Sequence, residues 1–268
     1  EVSNSIRGYL NHSEPVTADF AKSYRLLHAS IVKETGRDPI FPSQKKDFKQ
    51  TRSSLVNLSW DDYKRKTRLD PHHEFEKRLE ILREAQSIFM HSRSFSDMSK
   101  SERKAISGVI GENEQSAFSP DLNWAWFGTM RGAGDFAKLV GNNNTILSEA
   151  IDAIPIRGPI TKDDYLNYVN TFIKSFSEST RIGGVATATR ILAMKRPDIF
   201  VAINGKNKHR IAIDLEFSPS ALNIYNYWDR VIDPIQISEW YNSPRPRGKD
   251  CELWDFRAAM LDTIYYDE

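Results

Sequence analysis

The spacing of apolar residues predicts a mainly α-helical chain in two parts, with at most one very short strand. Three observations carry that expectation. Apolar side chains recur at intervals of three and four almost throughout, which gathers them on one helical face. Serine, threonine and aspartate stand where the periodic segments begin, as helix N-caps do. Only residues 199–203 read as a strand, and five residues cannot build a sheet alone. The 268 residues suit one large domain or two modest ones, and 40% hydrophobic with 11% aromatic content excludes a disordered or collagen-like chain.

Taken in order, Phe20, Tyr24, Leu27, His28, Ile31 and Val32 share a face that Gly36 and Asp38-Pro39 end. Ser43 caps a second helix carrying Phe48, Leu55, Val56 and Leu58, and Ser59 caps a third, with Asp61 and Asp62 in its first turn. Asp70-Pro71 opens a long helix with Phe75, Leu79, Leu82, Ile88 and Phe89 inward, and residues 99–110 form a shorter one. The polar stretch 111–120 is the expected domain boundary, dividing an N-terminal helical domain (1–115) from a C-terminal one (116–268). Beyond it, Gly132-Ala133-Gly134 turns into a short helix over 135–140. Helices over 145–154, from Thr161 to Phe176 and over 252–266 follow, the last after a Pro-rich loop at 242–249.

Charge is unevenly spread. Lys and Arg total 37 against 36 Asp and Glu, yet residues 181–210 carry Arg181, Arg190, Lys195, Arg196, Lys206, Lys208 and Arg210 against Asp198 alone, a net of +6. Residues 37–68 hold a smaller excess of +5, and 211–268 a net of −6. Local positive fields attract polyanions whatever the total. No apolar run approaches the ~20 residues that span a bilayer, and the first ten residues lack a signal-peptide pattern, so a cytoplasmic protein without a membrane partner is expected. One cysteine, Cys251, excludes an internal disulfide and a multi-cysteine zinc site.

The most legible segment is 181–204. Arg181-Ile182-Gly183-Gly184-Val185 makes a tight turn, small residues occupy the next helical turn, Ile191, Leu192 and Met194 are apolar, and Pro197 stops the helix before the run 199–203 and Asn204. Glycines ahead of a helix expose amide N–H groups, and the helix dipole adds positive potential, which together suit a phosphate. This pattern resembles the helix-hairpin-helix superfamily known from DNA base-excision glycosylases. Arg196-Pro197-Asp198-Ile199-Phe200 is similar to DNA-recognition domains of bacterial restriction systems. The resemblance covers about 181–215 and implies a DNA-binding scaffold, either a recognition module or a nuclease component of a bacterial restriction or antiviral defence system. It departs from the family at Ala186, where a glycine is preferred, at Ala188, the position of the lyase lysine, and at Asn204, the position of the catalytic aspartate. An amide there cannot act as a base.

The expected DNA contacts are Arg131, Arg181, Gly183, Gly184, Lys195, Arg196, Asn204, Lys206, Lys208, His209 and Arg210, with Trp124 and Trp126 as stacking candidates. No cofactor and no metal are expected: His72-His73 are adjacent and so face different ways on a helix, and Asp61-Asp62-Tyr63-Lys64 has nuclease letters in a helical setting. Two other readings stay open. One is a base-excision or strand-cleaving enzyme using Asp198 or Asp214. The other is a helical scaffold whose acidic 211–268 segment meets a basic protein partner, such as one within a defence complex.

Overall fold

The computed structural model describes residues 55–69 and 74–266, all within one compact unit, Arg52–Glu268. Among the described residues the fold is mainly helical, with eleven α-helices and no strand. They are α1 (Trp60–Arg68), α2 (Phe75–His91), α3 (Lys100–Ser107), α4 (Gly134–Gly141), α5 (Thr145–Ala153), α6 (Lys162–Lys174), α7 (Val185–Lys195), α8 (Lys208–Asp214), α9 (Asp233–Gln236), α10 (Cys251–Asp255) and α11 (Asp262–Tyr265). Ser59 caps α1 by accepting from the Asp62 amide, and Ser99 and Thr161 form reciprocal capping boxes with Glu102 and Asp164. The helix expected around Phe20–Val32, the start of the Ser43 helix, Asp70-Pro71 and His72-His73 lie outside the described residues.

Helix α7 is the centre of the unit. Every residue from Thr187 to Lys195 is buried, and the helix packs on α2 and α3. Beside it α5 packs on α6, and Tyr165, Tyr168, Phe200, Tyr227 and Trp228 form an aromatic cluster. The tyrosine hydroxyls there do not go unpaired: Tyr168 donates to the Ala188 carbonyl at 3.0 Å and Tyr227 to the Val201 carbonyl at 2.8 Å.

Four expectations change. Residues 55–57 form a turn, with the Leu58 amide returning to the Leu55 carbonyl, so no helix runs through them into α1. The buried run 199–203 is not a strand. Tyr227 Oη takes both backbone groups of Val201, and Thr189 Oγ1 accepts from the Ile203 amide, so side chains replace a neighbouring strand. The final helix is broken into α10, a turn with a 3₁₀ segment, and α11, because the Ala259 amide leaves for the Pro197 carbonyl at 2.9 Å and Arg257 Nη1 takes the Trp254 carbonyl at 2.7 Å. The stretch 111–120 lies inside the unit, whose core draws on residues from both sides of it.

One side chain fastens the two sides. Arg190 is fully buried on α7, and its five N–H groups reach five carbonyls: Ala105 and Ile106 at the end of α3, and Trp124, Trp126 and Gly128 in the segment before α4. Burial lowers its pKa to about 9, so it stays protonated at neutral pH and keeps all five donors.

Candidate nucleic-acid interface

Helices α6 and α7 are joined by residues 175–184. Gly183 sits where a Cβ would lie 2.7 Å from Phe176 Cζ and 3.0 Å from Phe172 Cε1, so only glycine lets the backbone press onto those rings. Pressing the chain down there turns its neighbours outward: Arg181, Ile182 and Gly184 are exposed. Asp135, in the first turn of α4, holds the same turn from the side. Its carboxylate accepts from Thr180 Oγ1 at 2.9 Å and from the Arg181 amide at 3.0 Å, and these hydroxyl and amide bonds with Lys138 hold it below the usual carboxylate range.

Gly184 is the N-cap of α7, and Ala133 is the N-cap of α4; neither supplies a side-chain cap. The first amides of each helix have no intrahelical acceptor. Both starts border one open cavity of about 510 Å³, lined by 132–136 from one side and by Phe176, 180–184 and Thr187 from the other. Two helix N-termini therefore border one space, which the Asp135 carboxylate also lines.

A short turn links this cavity to the loop after α7. Gly128, at φ +96°, lies so close to Asn204 that a Cβ would meet its Cβ at 2.7 Å. The exposed residues Thr129, Arg131 and Gly132 lead from there to the cavity. Lys206 follows Asn204 and is exposed, its amide donating to Asn204 Oδ1 at 2.8 Å. The 128–134 turn thus touches Asn204 at one end and the cavity at the other, with Arg131 on it and Lys206 two residues past Asn204.

The expected contacts divide sharply. Arg181, Gly184, Lys206, His209 and Arg210 are exposed; Gly183 and Lys208 are half-buried. Arg131 is exposed but partly committed, its Nε donating to the Ile110 carbonyl at 2.9 Å and its guanidinium lying 4.8 Å from the centre of the Trp124 ring. Trp126 has Arg78 at 5.1 Å over its ring. Each indole therefore has a cation over it, and both are half-buried, so their role in packing is plain and a base could reach only what remains.

Three expected contacts are internal. Lys195 is buried, its Nζ donating to the Ile151 carbonyl at 2.8 Å with Asp152 at 3.9 Å. Burial pushes its amine down to about 8, against the pull of Asp152. Arg196 is buried in a two-bond fork on Asp198 and also holds the carbonyls of Pro155 and Gly158, closing the loop after α5. Asn204 is buried in a network centred on Asp262. Its Nδ2 donates to Asp262 Oδ1 at 3.0 Å and its Oδ1 accepts from the amides of Lys206 and Asn207. Asn207 Nδ2 donates to Asp262 Oδ1 at 2.6 Å, and the fully buried Arg78 pairs with the other carboxylate oxygen. Position 204 needs a donor and an acceptor on one side chain, which an amide has and an ionised aspartate lacks.

The carboxylates considered for chemistry are also engaged: Asp198 by Arg196, and Asp214 by the Tyr265 hydroxyl at 2.7 Å. Asp61 pairs with Lys64 within α1 at 2.8 Å. Among the described residues no group of three or more His, Cys, Asp or Glu side chains is placed to hold a metal ion, and no helix is long and apolar enough to cross a membrane.

Sequence reasoning placed the start of α4 but did not bring it, or Asp135, to the 180–184 segment. The signal was present in Gly132-Ala133-Gly134-Asp135, glycines and an acid ahead of a helix, but nothing in the linear order tied that turn to the hairpin 45 residues on, where the Thr180 hydroxyl meets Asp135. Comparison with protein-family models, with curated proteins and with solved structures gives no match. What is established is the fold class: a mainly helical unit in which two helix starts without side-chain caps border one open cavity, with exposed cations on the same segments.

Proposed function

We propose that this chain binds DNA through the sugar-phosphate backbone, with a phosphate seated in the cavity between the hairpin and the start of α4, as a recognition module or nuclease component of a bacterial restriction or defence system. The observation that carries the binding reading is the convergence of two uncapped helix starts, Gly184 of α7 and Ala133 of α4, on one open cavity beside exposed Arg181. Amides fixed in this way favour an anion without reading sequence. Arg131 and Lys206 add positive charge on the 128–134 turn and just past Asn204, and they suit neighbouring phosphates of the same strand. The assignment to a restriction or defence system rests on the resemblance of the 181–215 segment.

The test is duplex binding across a salt series, comparing the protein with Arg181→Ala and Lys206→Ala. Each variant should weaken binding to all sequences alike and flatten the salt slope by about one unit. Binding that ignores salt, or variants that bind as the parent does, would remove backbone neutralisation as the driving term.

A further inference from the structure

The five methionines of the chain are unequally placed. Met98, Met130, Met194 and Met260 are buried, none more than 5% exposed, while Met90 is 54% exposed near the C-terminus of α2. Oxidants reach a thioether according to its exposure, so one sulfur stands far ahead of the other four. A second observation singles it out. Arg157 Nη2 donates to Met90 Sδ at 3.6 Å, from the loop after α5. Arg196 holds the carbonyls of Pro155 and Gly158, on either side of Arg157, at 3.0 and 2.8 Å. The backbone of Arg157 is therefore fixed while its side chain stays exposed beside the sulfur. A cation there also complements the carbonyl end of α2.

We propose that Met90 is a redox modification site: a hydroperoxide converts its thioether to the sulfoxide, and Arg157 then clasps the new oxygen, tying the end of α2 to the 155–158 loop. The sulfur attacks the hydroxyl oxygen of the peroxide. An S–O bond forms as the O–O bond breaks, the sulfur gives up two electrons, and the departing oxygen takes the hydroxyl proton and leaves as water or an alcohol. A thioether is a weak acceptor, whereas the sulfoxide oxygen is a strong one, and a guanidinium beside it makes a charge-assisted bond. The unbranched methionine side chain has three rotatable bonds with which to turn that oxygen to Arg157. Oxidising a buried methionine puts a polar group into a core and disrupts it. At Met90 the oxygen meets water and a cationic donor, so the sign is reversed and oxidation tightens the structure. This inference does not depend on DNA binding.

The experiment treats the protein with dilute hydrogen peroxide and follows each methionine by peptide mass mapping. Met90 should be oxidised roughly tenfold faster than any of the other four. The singly oxidised protein should melt about 1–3 °C above the reduced form, and amide exchange across 155–160 should slow about threefold. Arg157→Ala should be oxidised at Met90 as readily but lose both gains. Met90→Leu keeps the apolar bulk and removes the sulfur, so peroxide should leave its melting temperature level. A stabilisation that persists in Met90→Leu comes from elsewhere, the half-buried Cys251 thiol included, and overturns the proposal. Oxidation that begins at another methionine, a melting temperature of the parent that stays level or falls, or gains that survive Arg157→Ala overturn it as well.

Discussion

Replacing Gly184 by aspartate separates phosphate binding from stability, because the structure predicts opposite signs for the two. The position tolerates a side chain: its φ is −99°, ordinary for any residue, and a Cβ would meet nothing within 4 Å. An aspartate at the N-cap of α7 accepts from the next amides and complements the helix dipole, so stability should rise by a few tenths to about 1 kcal/mol. For a unit of this size that is a rise in melting temperature of about 1–4 °C. The same carboxylate would occupy the amides proposed to bind phosphate and repel it. At about 5 Å and an effective dielectric near 40, the repulsion alone costs about 1.7 kcal/mol, and the lost amide bonds add about 1 kcal/mol or more, an expected weakening of roughly a hundredfold. Gly184→Asn supplies a neutral cap and should fall between, which isolates the charge. Gly184→Ala leaves the amides free and should bind within about twofold of the parent. Thermal melts and fluorescence anisotropy with a labelled duplex read the two quantities on one preparation. A Gly184→Asp variant that gains stability yet binds DNA at the parent's affinity would show that the amides of α7 are not the anion site.

The remaining expectations concern the buried groups. Asn204→Asp sets two carboxylates about 3 Å apart and removes a donor, which should cost about 3–5 kcal/mol in urea unfolding at neutral pH. A carboxyl placed against Asp262 takes up a proton more readily in the folded than in the unfolded chain, so the deficit relative to the parent should shrink as pH falls toward about 4. A deficit that is small, or that grows on acidification, would contradict the network. Lys195 has a folded pKa near 8, depressed by burial, against about 10.4 unfolded. Between these values the unfolded chain holds the extra proton, so this lysine makes stability rise with pH by up to about 1.4 kcal/mol per unit. Lys195→Met should remove that slope between pH 8 and 9.5, and parallel curves for the two proteins would refute it.

Helix positions with strong caps were legible because the signal is local: Ser59, Ser99 and Thr161 each satisfy amides three residues away. The 199–203 run was misread because its apolar composition matches a buried strand, while the groups that complete its hydrogen bonds, Tyr227 and Thr189, come from other parts of the chain. The segment 181–184 was read from its glycines as a surface turn, and Arg181, Ile182 and Gly184 are exposed while Gly183 is half-buried. The burial of Lys195, Arg196 and Asn204 was not, since a cation beside a helix end reads the same whether it faces water or caps carbonyls. Arg190 shows the difficulty most clearly. Its charge contributed to the basic excess, yet all its donors are spent inside the unit, on carbonyls far from it in the chain.

That withdrawal of charge changes what the salt dependence can be. Of the seven cations in 181–210, Arg190, Lys195 and Arg196 are buried on internal acceptors, leaving Arg181, Lys206, Lys208 and Arg210, to which Arg131 adds a fifth. Five neutralised phosphates correspond to a slope of about −4.5 in log affinity against log salt, and that is a ceiling, because Arg131 and Lys208 are partly committed to carbonyls and Arg210 is engaged within the unit, beside Tyr265. Of the four cations in the described part of the second basic stretch, three are paired: Lys64 with Asp61 and Asp250, Arg65 with Asp62, and Arg68 with Asp250. Affinity beyond what so few cations supply has to come from neutral donors, which release no counterions when a phosphate docks. On the proposed reading the first amides of α7 and α4 would be those neutral donors, so moderate salt dependence with useful affinity is the combination expected, which net positive charge alone would not produce.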